Sequence, residues 1–469
     1  MDVMQTKQPK YPAIPVDPAD ATASIEIPVL QMFRRNLHRI PELDFDLPET
    51  IEYVTSRLDS VRMSIDERFG PGFCRVFSPC EGSVCAFFDR GSEHTTAIRA
   101  DMDALPVTER TGARYASQHE GRMHACGHDG HMAMVLMLAQ WISAYYDQLP
   151  RNVLLVFQPA EETTGGANNI CKSGVFEDYR VDRIFGFHLW PDLPAGQIAS
   201  RPGALLAAGN ETLVTFHGKS SHIAKAAEGA DAMEACARFY LDAYDYMAQR
   251  QKEEPCLLKF GRMEAGTVCN AIAATAYIHG SLRTFSVEMG ERCRRELAEL
   301  AQRRAAEAGC TVDVHFADGY PPVVNDAELY AMAADALAKA DVQRAKELQT
   351  EEAAMRRNAE IAQKGLDQKA NSGDSLGEMD ALDAAHLAYM AQAAKSPDGM
   401  VPAPALAPVE LPEPLLIAED FAFYQRHLPG VFMLLGTGTG IPLHADTFDF
   451  NESVLLQGLT AYKALVMME

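Results

Sequence analysis

The chain of 469 residues has no apolar run that approaches the ~18 residues of a membrane-spanning helix. Met1 to Glu26 is polar, acidic and rich in proline, and it lacks the basic start and the apolar run of a signal peptide. The ten cysteines are scattered and form no CxxC pair, a usage that predicts reduced thiols and no disulfide framework. We therefore expect a cytoplasmic protein with no membrane partner.

Positive charge is scarce as well. Lysine and arginine together number 42 against 65 aspartates and glutamates, which gives a formal net charge of −23. Such a surface repels the phosphates of nucleic acids, so we expect no nucleic-acid partner. Hydrophobic residues make up 47% of the chain, enough for a sizeable core, and the length favours two domains.

The first third of the chain alternates apolar runs with helical patterns. Gln31–His38 and Met132–Tyr146 show the apolar spacing of helices. Four runs predict buried strands, namely Ser83–Phe88, Thr96–Ala100, Val153–Phe157 and Ile184–Phe187. This alternation predicts an α/β layered domain, in which functional residues gather where strands end.

From about Gly209 the pattern changes to a smaller α+β unit. Its predicted strands and helices are Glu211–His217, Ala230–Gln251, Ala274–Thr284, Val287–Ala308 and Thr311–Phe316. We assign 208–322 to this inserted domain, and 1–207 with 323–469 to the main domain. A further insertion at about 341–413, Asp341–Glu413, predicts one or two exposed helices and an extended linker at Pro402–Pro414.

The densest group of potential metal ligands is His124–His131, with the sequence HACGHDGH. Cys126 and His128 are two residues apart, so on an extended loop both can face one pocket. Thiolate and imidazole suit Zn, Mn, Ni or Co. A lone histidine is more often structural, but a cluster this dense favours a metal site.

A pair of glutamates, Glu161 and Glu162, follows the apolar run Val153–Phe157. One of two adjacent carboxylates can ligate a metal while the other acts as general base. Taken alone, the pair is more typical of a solvated turn. Its position after a buried run is what favours a functional site.

Asp101 and Asp103 close another apolar run, and a carboxylate there can orient a ligating histidine. His188 follows the run that ends at Phe187, and His444 lies in a late loop. Each of these two histidines is a weak signal by itself.

Together these segments resemble the M20 metallopeptidase family in its amidohydrolase subfamily, which includes aminoacylase-like enzymes, hippurate hydrolases and auxin-conjugate hydrolases. The matching stretches are Leu37–Glu42, Arg99–Pro106, His124–His131, Phe157–Glu162, Gly186–His188, Gly218–His222, Gly280–Phe285, Ala418–Phe421 and Leu443–Glu452. The resemblance implies an α/β catalytic domain, with a mixed sheet flanked by helices. It also implies an inserted α+β lid domain that serves dimerisation, and hence a homodimer.

The resemblance further implies two divalent metal ions per subunit, and hydrolysis of the amide bond of N-acyl amino acids by metal-activated water. The family's metal ligands fall on Cys126, His128, Glu162, His188 and His444. Its general base falls on Glu161, and Asp103 matches the aspartate beside the metals. His222 matches a lid histidine that helps hold the carbonyl oxygen and, in related dimers, reaches the neighbouring subunit's site. Asn270 and Arg283 match lid residues that hold the substrate carboxylate.

Two departures from the family pattern lie in the substrate-facing lid. After His222 the family has Ala-Ala-x-Pro-His, and here the run is Ile223–Glu228. After Asn270 it has Ile-Ile-Pro or Val-Ile-Pro, and here the run is Ala271–Ala274. The family's usual substrates therefore do not transfer directly to this chain.

Three alternatives stay open on the sequence. A dipeptidase or carboxypeptidase of the same family would share every metal residue. A non-catalytic metal-binding protein could use the same fold, although no ligand or base position is lost. The insertion Asp341–Glu413 could dock a partner protein.

Overall fold

The structure, a computed structural model, describes residues 23–346 and 404–469. Its largest sheet has eight strands: Cys74–Phe77 (β1), Val84–Phe88 (β2), Thr95–Asp101 (β3), Asn152–Gln158 (β4), Val181–Trp190 (β5), Ile198–Ser200 (β6), Val409–Glu410 (β13) and Gly430–Gly436 (β14). They lie in the order β1-β2-β4-β3-β5-β14-β6-β13. Strand β3 is parallel to β4 and β5, whereas β2 is antiparallel to both of its neighbours, so the sheet is mixed.

Helices cover both faces of this sheet. One face packs against Ala23–His38 (α1), Pro48–Phe69 (α2), His128–Ala144 (α3), 327–346 (α8) and Val454–Val466 (α10). The other face packs against Gly166–Lys172 (α4), Val175–Asp178 (α5) and Ala422–Gln425 (α9). The alternation of side chains along β4 produces the two cores, since Val153 and Leu155 join the first and Leu154 and Val156 the second.

A separate antiparallel sheet holds the strands Ala208–His217 (β8), Cys256–Ala265 (β9), Thr275–Thr284 (β10) and Thr311–Phe316 (β11), in the order β11-β8-β10-β9. The helices Ala232–Arg250 (α6) and Val287–Glu307 (α7) pack on it around a third apolar core. The predicted fold class, an α/β domain with an inserted α+β unit, is confirmed. The predicted boundary at residue 322 stays a prediction.

Strand β9 was not predicted, and its position explains why. It pairs only with β10, at one edge of the second sheet. From Lys259 to Glu264 its side chains are exposed or only partly buried, and the segment contains a glycine and an arginine. An edge strand with little burial has no clear alternation of apolar residues.

The chain crosses between the two sheets twice, and the two crossings touch. The backbone N–H of Gly209 donates to the carbonyl of Tyr320 at 3.1 Å, and that of Ala317 donates to Glu211 at 2.9 Å. A Cβ at Gly319 would stand 1.5 Å from the carbonyl oxygen of Gly209. Only glycine allows this approach. A two-stranded ribbon of Gly203–Leu206 (β7) and Val323–Asn325 (β12) lies beside the crossings.

The N-terminal residues 1–22 and most of the predicted insertion, 347–403, lie outside the described residues. The described end of the proline-rich segment is not a free linker. Leu406 is fully buried and donates its backbone N–H to the Asp341 carboxylate at 2.9 Å, and β13 pairs with β6 at the sheet edge. Among the helices described, none combines the length and hydropathy that a bilayer crossing requires.

Candidate metal centre and active site

A tight turn, rather than the expected extended loop, brings Cys126 and His128 together. Gly127 has a φ of 86°, and His128 is already the first residue of α3. A Cβ at Gly127 would lie 2.9 Å from Cδ1 of Leu189 in β5. Glycine is therefore required both for the left-handed backbone and for the close approach of strand and helix.

Glu161 and Glu162 follow strand β4, as predicted, after a turn in which Ala160 has a φ of 54°. The Asp103 carboxyl accepts the backbone N–H of Glu161 at 2.9 Å and that of Glu162 at 3.1 Å. The structure thus places Asp103 as a brace for the backbone that carries both glutamates.

His188 and His444 reach this place from distant parts of the chain. His188 lies inside β5, not after the strand as predicted, because pairing with β14 continues as far as Trp190. His444 has a φ of 67°, and its backbone N–H donates to the carbonyl of Ala125 at 2.9 Å. A left-handed conformation in a residue other than glycine is typical of functional sites.

The five predicted ligands converge. Cys126 Sγ lies 3.4 Å from His188 Nε2. His128 Nε2 lies 3.8 Å from Glu162 Oε1, and His444 Nε2 lies 3.4 Å from Glu162 Oε2. Cys126 belongs to two overlapping groups, one with His128 and His188 and one with Glu162 and His444, whose donor atoms lie within 4.8 Å of one another.

The hydrogen bonds of these side chains fit a metal. Nδ1 of His128 lies 2.8 Å from the carbonyl of Asp103, and Nδ1 of His188 lies 2.7 Å from that of Leu189, so each ring donates through Nδ1. Each Nε2 then keeps a free lone pair. Nε2 of His128 and Oε1 of Glu162 are buried and have no hydrogen-bond partner among residues 23–346 and 404–469. A lone pair on an imidazole nitrogen and a carboxylate oxygen, placed close together beside a thiol, are ligands that Zn and similar cations bind.

Burial disfavours the ionised forms of several side chains at the site. It raises the pKa of the Cys126 thiol well above its usual value, with help from the charge of Glu162. Burial and the nearby Glu419 carboxyl likewise raise the pKa of Glu161. In Glu162 burial opposes ionisation, but the hydrogen bond from His444 holds the pKa below its usual value. A bound cation would supply the charge that the thiol needs to ionise.

A buried network behind the site was missed in the sequence. Arg99 in β3 is fully buried and donates to Asp101 at 2.6 Å, Glu419 at 2.8 Å and Asp420 at 2.9 Å. Glu161, Glu419 and Asp420 form a cluster whose carboxylate oxygens lie within 4.8 Å of one another. The signal was an arginine inside an otherwise apolar strand, since a buried charge requires partners.

Asp101 orients His131, a histidine that is not one of the five predicted metal ligands. Its carboxylate lies 2.6 Å from Nδ1 of His131. Nε2 of His131 accepts the backbone N–H of Leu189 at 2.9 Å, and the Leu189 carbonyl faces His188. His131 therefore acts as a brace between α3 and the part of β5 that presents His188.

Four of the five candidate ligands line a cavity of about 560 Å³, here called the catalytic cavity. Glu161 and Arg283 line it together with Cys126, Glu162, His188 and His444. Arg283 is partly buried and forms no ion pair with any described residue. Burial lowers the pKa of its guanidinium. Part of the wall is apolar, with Trp190, Leu416, Ile417 and Leu434.

His222 and Asn270 do not line the catalytic cavity of their own chain. Both are exposed, and they lie beside each other, since His222 bridges to Ala271 and the N–H of Ile223 donates to the Asn270 carbonyl at 3.0 Å. Nδ1 of His222 accepts the backbone N–H of Ala224 at 3.1 Å. The structure thus brings Arg283 to the site but not its two predicted lid companions.

Several proteins similar to this chain are named as hydrolases. An uncharacterized hydrolase of Staphylococcus aureus (strain bovine RF122 / ET3-1) is 29% identical over 454 residues, which cover 94% of this chain and 98% of that protein. An uncharacterized hydrolase of Staphylococcus haemolyticus (strain JCSC1435) is 29% identical over 455 residues, with the same coverage.

A solved structure with the same architecture is the YXEP protein of Bacillus subtilis, a dinuclear metal-binding peptidase of the M20 family. It is 25% identical with a TM-score of 0.67, and the match covers 95% of this chain and 98% of that one. The sequence model of peptidase family M20/M25/M40 matches residues 97–386, which hold four of the five candidate ligands. The chain therefore belongs to the M20/M25/M40 family of peptidases and related hydrolases.

Proposed function

We propose that the chain hydrolyses the amide bond of N-acyl amino acids, or of related small amides with a free carboxylate. The observation that carries this proposal is Arg283, a partly buried guanidinium with no ion pair among the described residues, which lines the same cavity as Glu161 and four of the candidate ligands. A guanidinium in such a place suits a carboxylate, which it can bind through two parallel hydrogen bonds.

The candidate ligands supply two overlapping metal sites. Cys126, His128 and His188 would hold one divalent cation, and Cys126, Glu162 and His444 the other. The donor set permits Zn, Mn, Ni or Co. Cations bound there lower the pKa of water and polarise a carbonyl group.

Glu161 is the proposed general base. Its carboxyl lines the catalytic cavity next to the candidate ligands, but it is not needed to complete either ligand group. A carboxyl with a pKa raised by burial is suited to take a proton from water and to pass it to the departing nitrogen. The backbone bond from Glu161 to Asp103 and the Tyr320 hydroxyl, which donates to the Glu161 carbonyl at 2.6 Å, fix its position.

The remaining lining favours an apolar group on the substrate. Trp190, Leu416 and Ile417 lie along the cavity that also holds Arg283. Burial of a hydrocarbon group there contributes roughly 25 cal/mol per Å². An acyl chain or an apolar amino-acid side chain fits this wall.

We further propose that a second copy of the chain completes the site. His222 and Asn270 are exposed and adjacent, and neither reaches the cavity of its own chain. A homodimer formed through the inserted domain would let them serve the partner's cavity. Mixing inactive His222→Ala and Glu161→Gln protomers should then restore activity in hetero-dimers. Hetero-dimers with no recovered activity would contradict this arrangement.

The substrate proposal is tested by release of free amine from a panel of N-acyl amino acids, the matching amides without a carboxylate, and dipeptides. We expect turnover of the acyl amino acids, and a higher KM for them in Arg283→Met. The amides without a carboxylate should respond little to that change. Cleavage of dipeptides alone would assign the chain to the peptidase alternative.

A further inference from the structure

A second cavity, of about 440 Å³, lies at the two chain crossings between the sheets, and we call it the hinge cavity. Residues of the inserted unit, such as Asn210 and Ser286, line one part of it. Thr164 and Asn168, which belong to the main domain, line another. The wall of the hinge cavity is therefore shared by both units of the chain.

Two arginines line this cavity, the partly buried Arg294 on α7 and the exposed Arg426 next to α9. Neither forms an ion pair with any residue in the part of the chain that the structure describes, although acidic residues outnumber basic ones by 65 to 42. One carboxylate, Asp318, also lines the cavity, so the charged side chains sum to one positive charge, 2 − 1 = +1.

The wall holds one of these guanidiniums in place. Nη1 of Arg294 donates to Oδ1 of Asn210 at 3.2 Å, and Nδ2 of Asn210 donates to the carbonyl of Ala317 at 3.1 Å. Asn210 is only 7% exposed. The Arg294 side chain is thus fixed at one end, which lowers the entropy lost when its other N–H groups bind a ligand.

We propose that the hinge cavity binds a small organic carboxylate. Two guanidiniums that have no carboxylate partner among the described residues supply N–H donors in the flat geometry that a carboxylate accepts. The rings of Tyr320 and Phe423 lie along the same cavity, so a ligand with a short apolar or aromatic part fits better than a bare inorganic anion.

Tyr320 connects the hinge cavity to the catalytic cavity, so a ligand in the first can affect the second. Tyr320 lines both cavities, and its hydroxyl holds the Glu161 backbone. A molecule in the hinge cavity also touches the inserted unit and the main domain together. Its binding then depends on how the two units are placed.

The test uses the metal-loaded full chain and 4-bromobenzoate, a carboxylate with an aromatic ring. Crystals soaked in this compound should show anomalous bromine density in the hinge cavity. In calorimetry, Arg294→Met and Arg426→Met should each weaken the binding of 4-bromobenzoate at the hinge cavity. The double variant should raise the Kd of that site at least ~10-fold. Two separate positions keep the test valid if one variant fails to fold.

The matched control is Arg303→Met, an exposed arginine on the same helix that does not line the cavity. It removes the same charge and should leave the Kd unchanged. Bromine density confined to the catalytic cavity would overturn the proposal. So would an equal loss of affinity in Arg303→Met, because binding would then follow net charge alone. Neither outcome depends on turnover, so the substrate proposal is judged separately.

Discussion

The Asp103 carboxyl accepts the backbone N–H of Glu161 at 2.9 Å, and its second oxygen accepts that of Glu162 at 3.1 Å. One side chain therefore fixes the backbone of both the proposed base and a candidate metal ligand. Asp103→Asn keeps the size of the side chain but turns an NH2 group toward an N–H donor. We expect kcat or metal affinity to fall ~10- to 100-fold, with KM changed less.

The control for this variant is Asp147→Asn, which changes an exposed aspartate in a surface turn and should behave as wild type. Steady-state kinetics give kcat and KM for both variants, and metal titration gives their metal affinity. Unchanged kcat and metal affinity in Asp103→Asn would show that the two backbone bonds do not position the site.

Glu161→Gln tests the proposed base directly. Glutamine preserves the shape and the backbone bond to Asp103 but cannot take up a proton. Turnover should fall by at least ~10² while the metal content stays that of wild type. Near-normal turnover in a metal-loaded variant would assign the proton transfer to another group.

Arg99 is expected to be the costliest of the buried residues to replace. Arg99→Met leaves Asp101, Glu419 and Asp420 without the cation that binds all three. Loss of one partner from a buried ion network costs about 3 kcal/mol or more. A urea unfolding series measures the change in the free energy of unfolding.

Arg238→Met is the matched surface change, since Arg238 is exposed and pairs with Glu234 four residues earlier on α6. Exposed pairs of this kind contribute less than about 1 kcal/mol. Equal destabilisation in the two variants would mean that the buried network does not stabilise the fold in the way described.

Stability should also depend on pH through His38. Burial opposes the charge on this ring, but the Asp129 carboxylate at 2.8 Å, with help from Glu109, raises the pKa of His38 to about 9. The unfolded value is about 6.5, so protonated His38 stabilises the fold fully below about pH 6.5. That contribution is lost as pH rises through the folded value.

The midpoint of thermal unfolding should therefore differ most between wild type and His38→Gln near pH 6. The difference should shrink toward about pH 9.5. Both proteins are measured with the same saturating metal. A difference that stays constant over this range would show that the charge on His38 does not contribute.

The sequence predicted four of the eight strands of the main sheet and three of the four strands of the second sheet, and it gave no bounds for the fully buried β14. Apolar runs such as Val153–Phe157 became central strands, because strands buried on both faces are apolar throughout. It failed where tertiary pairing decides the outcome. His188 lies within β5 because β14 extends the strand, and the Leu406 region is anchored by a distant aspartate, Asp341.

Within the site, the motifs predicted which side chains converge, but not the supports behind them. The roles of Arg99 and His131 depend on contacts with Glu419 and Leu189, which are far away in sequence. Tyr320 lines both cavities because two chain crossings, distant in the sequence, meet in the folded protein. No local pattern encodes such contacts.

The central claim is that Cys126, His128, Glu162, His188 and His444 hold divalent cations. The most direct measurement is metal content per chain by mass spectrometry, on gently purified protein and after incubation with Zn or Mn. We predict about two metal ions per chain in the wild type, and a loss of at least one in His188→Ala. No bound metal after incubation, or full metal content in His188→Ala, would contradict the assignment of the site.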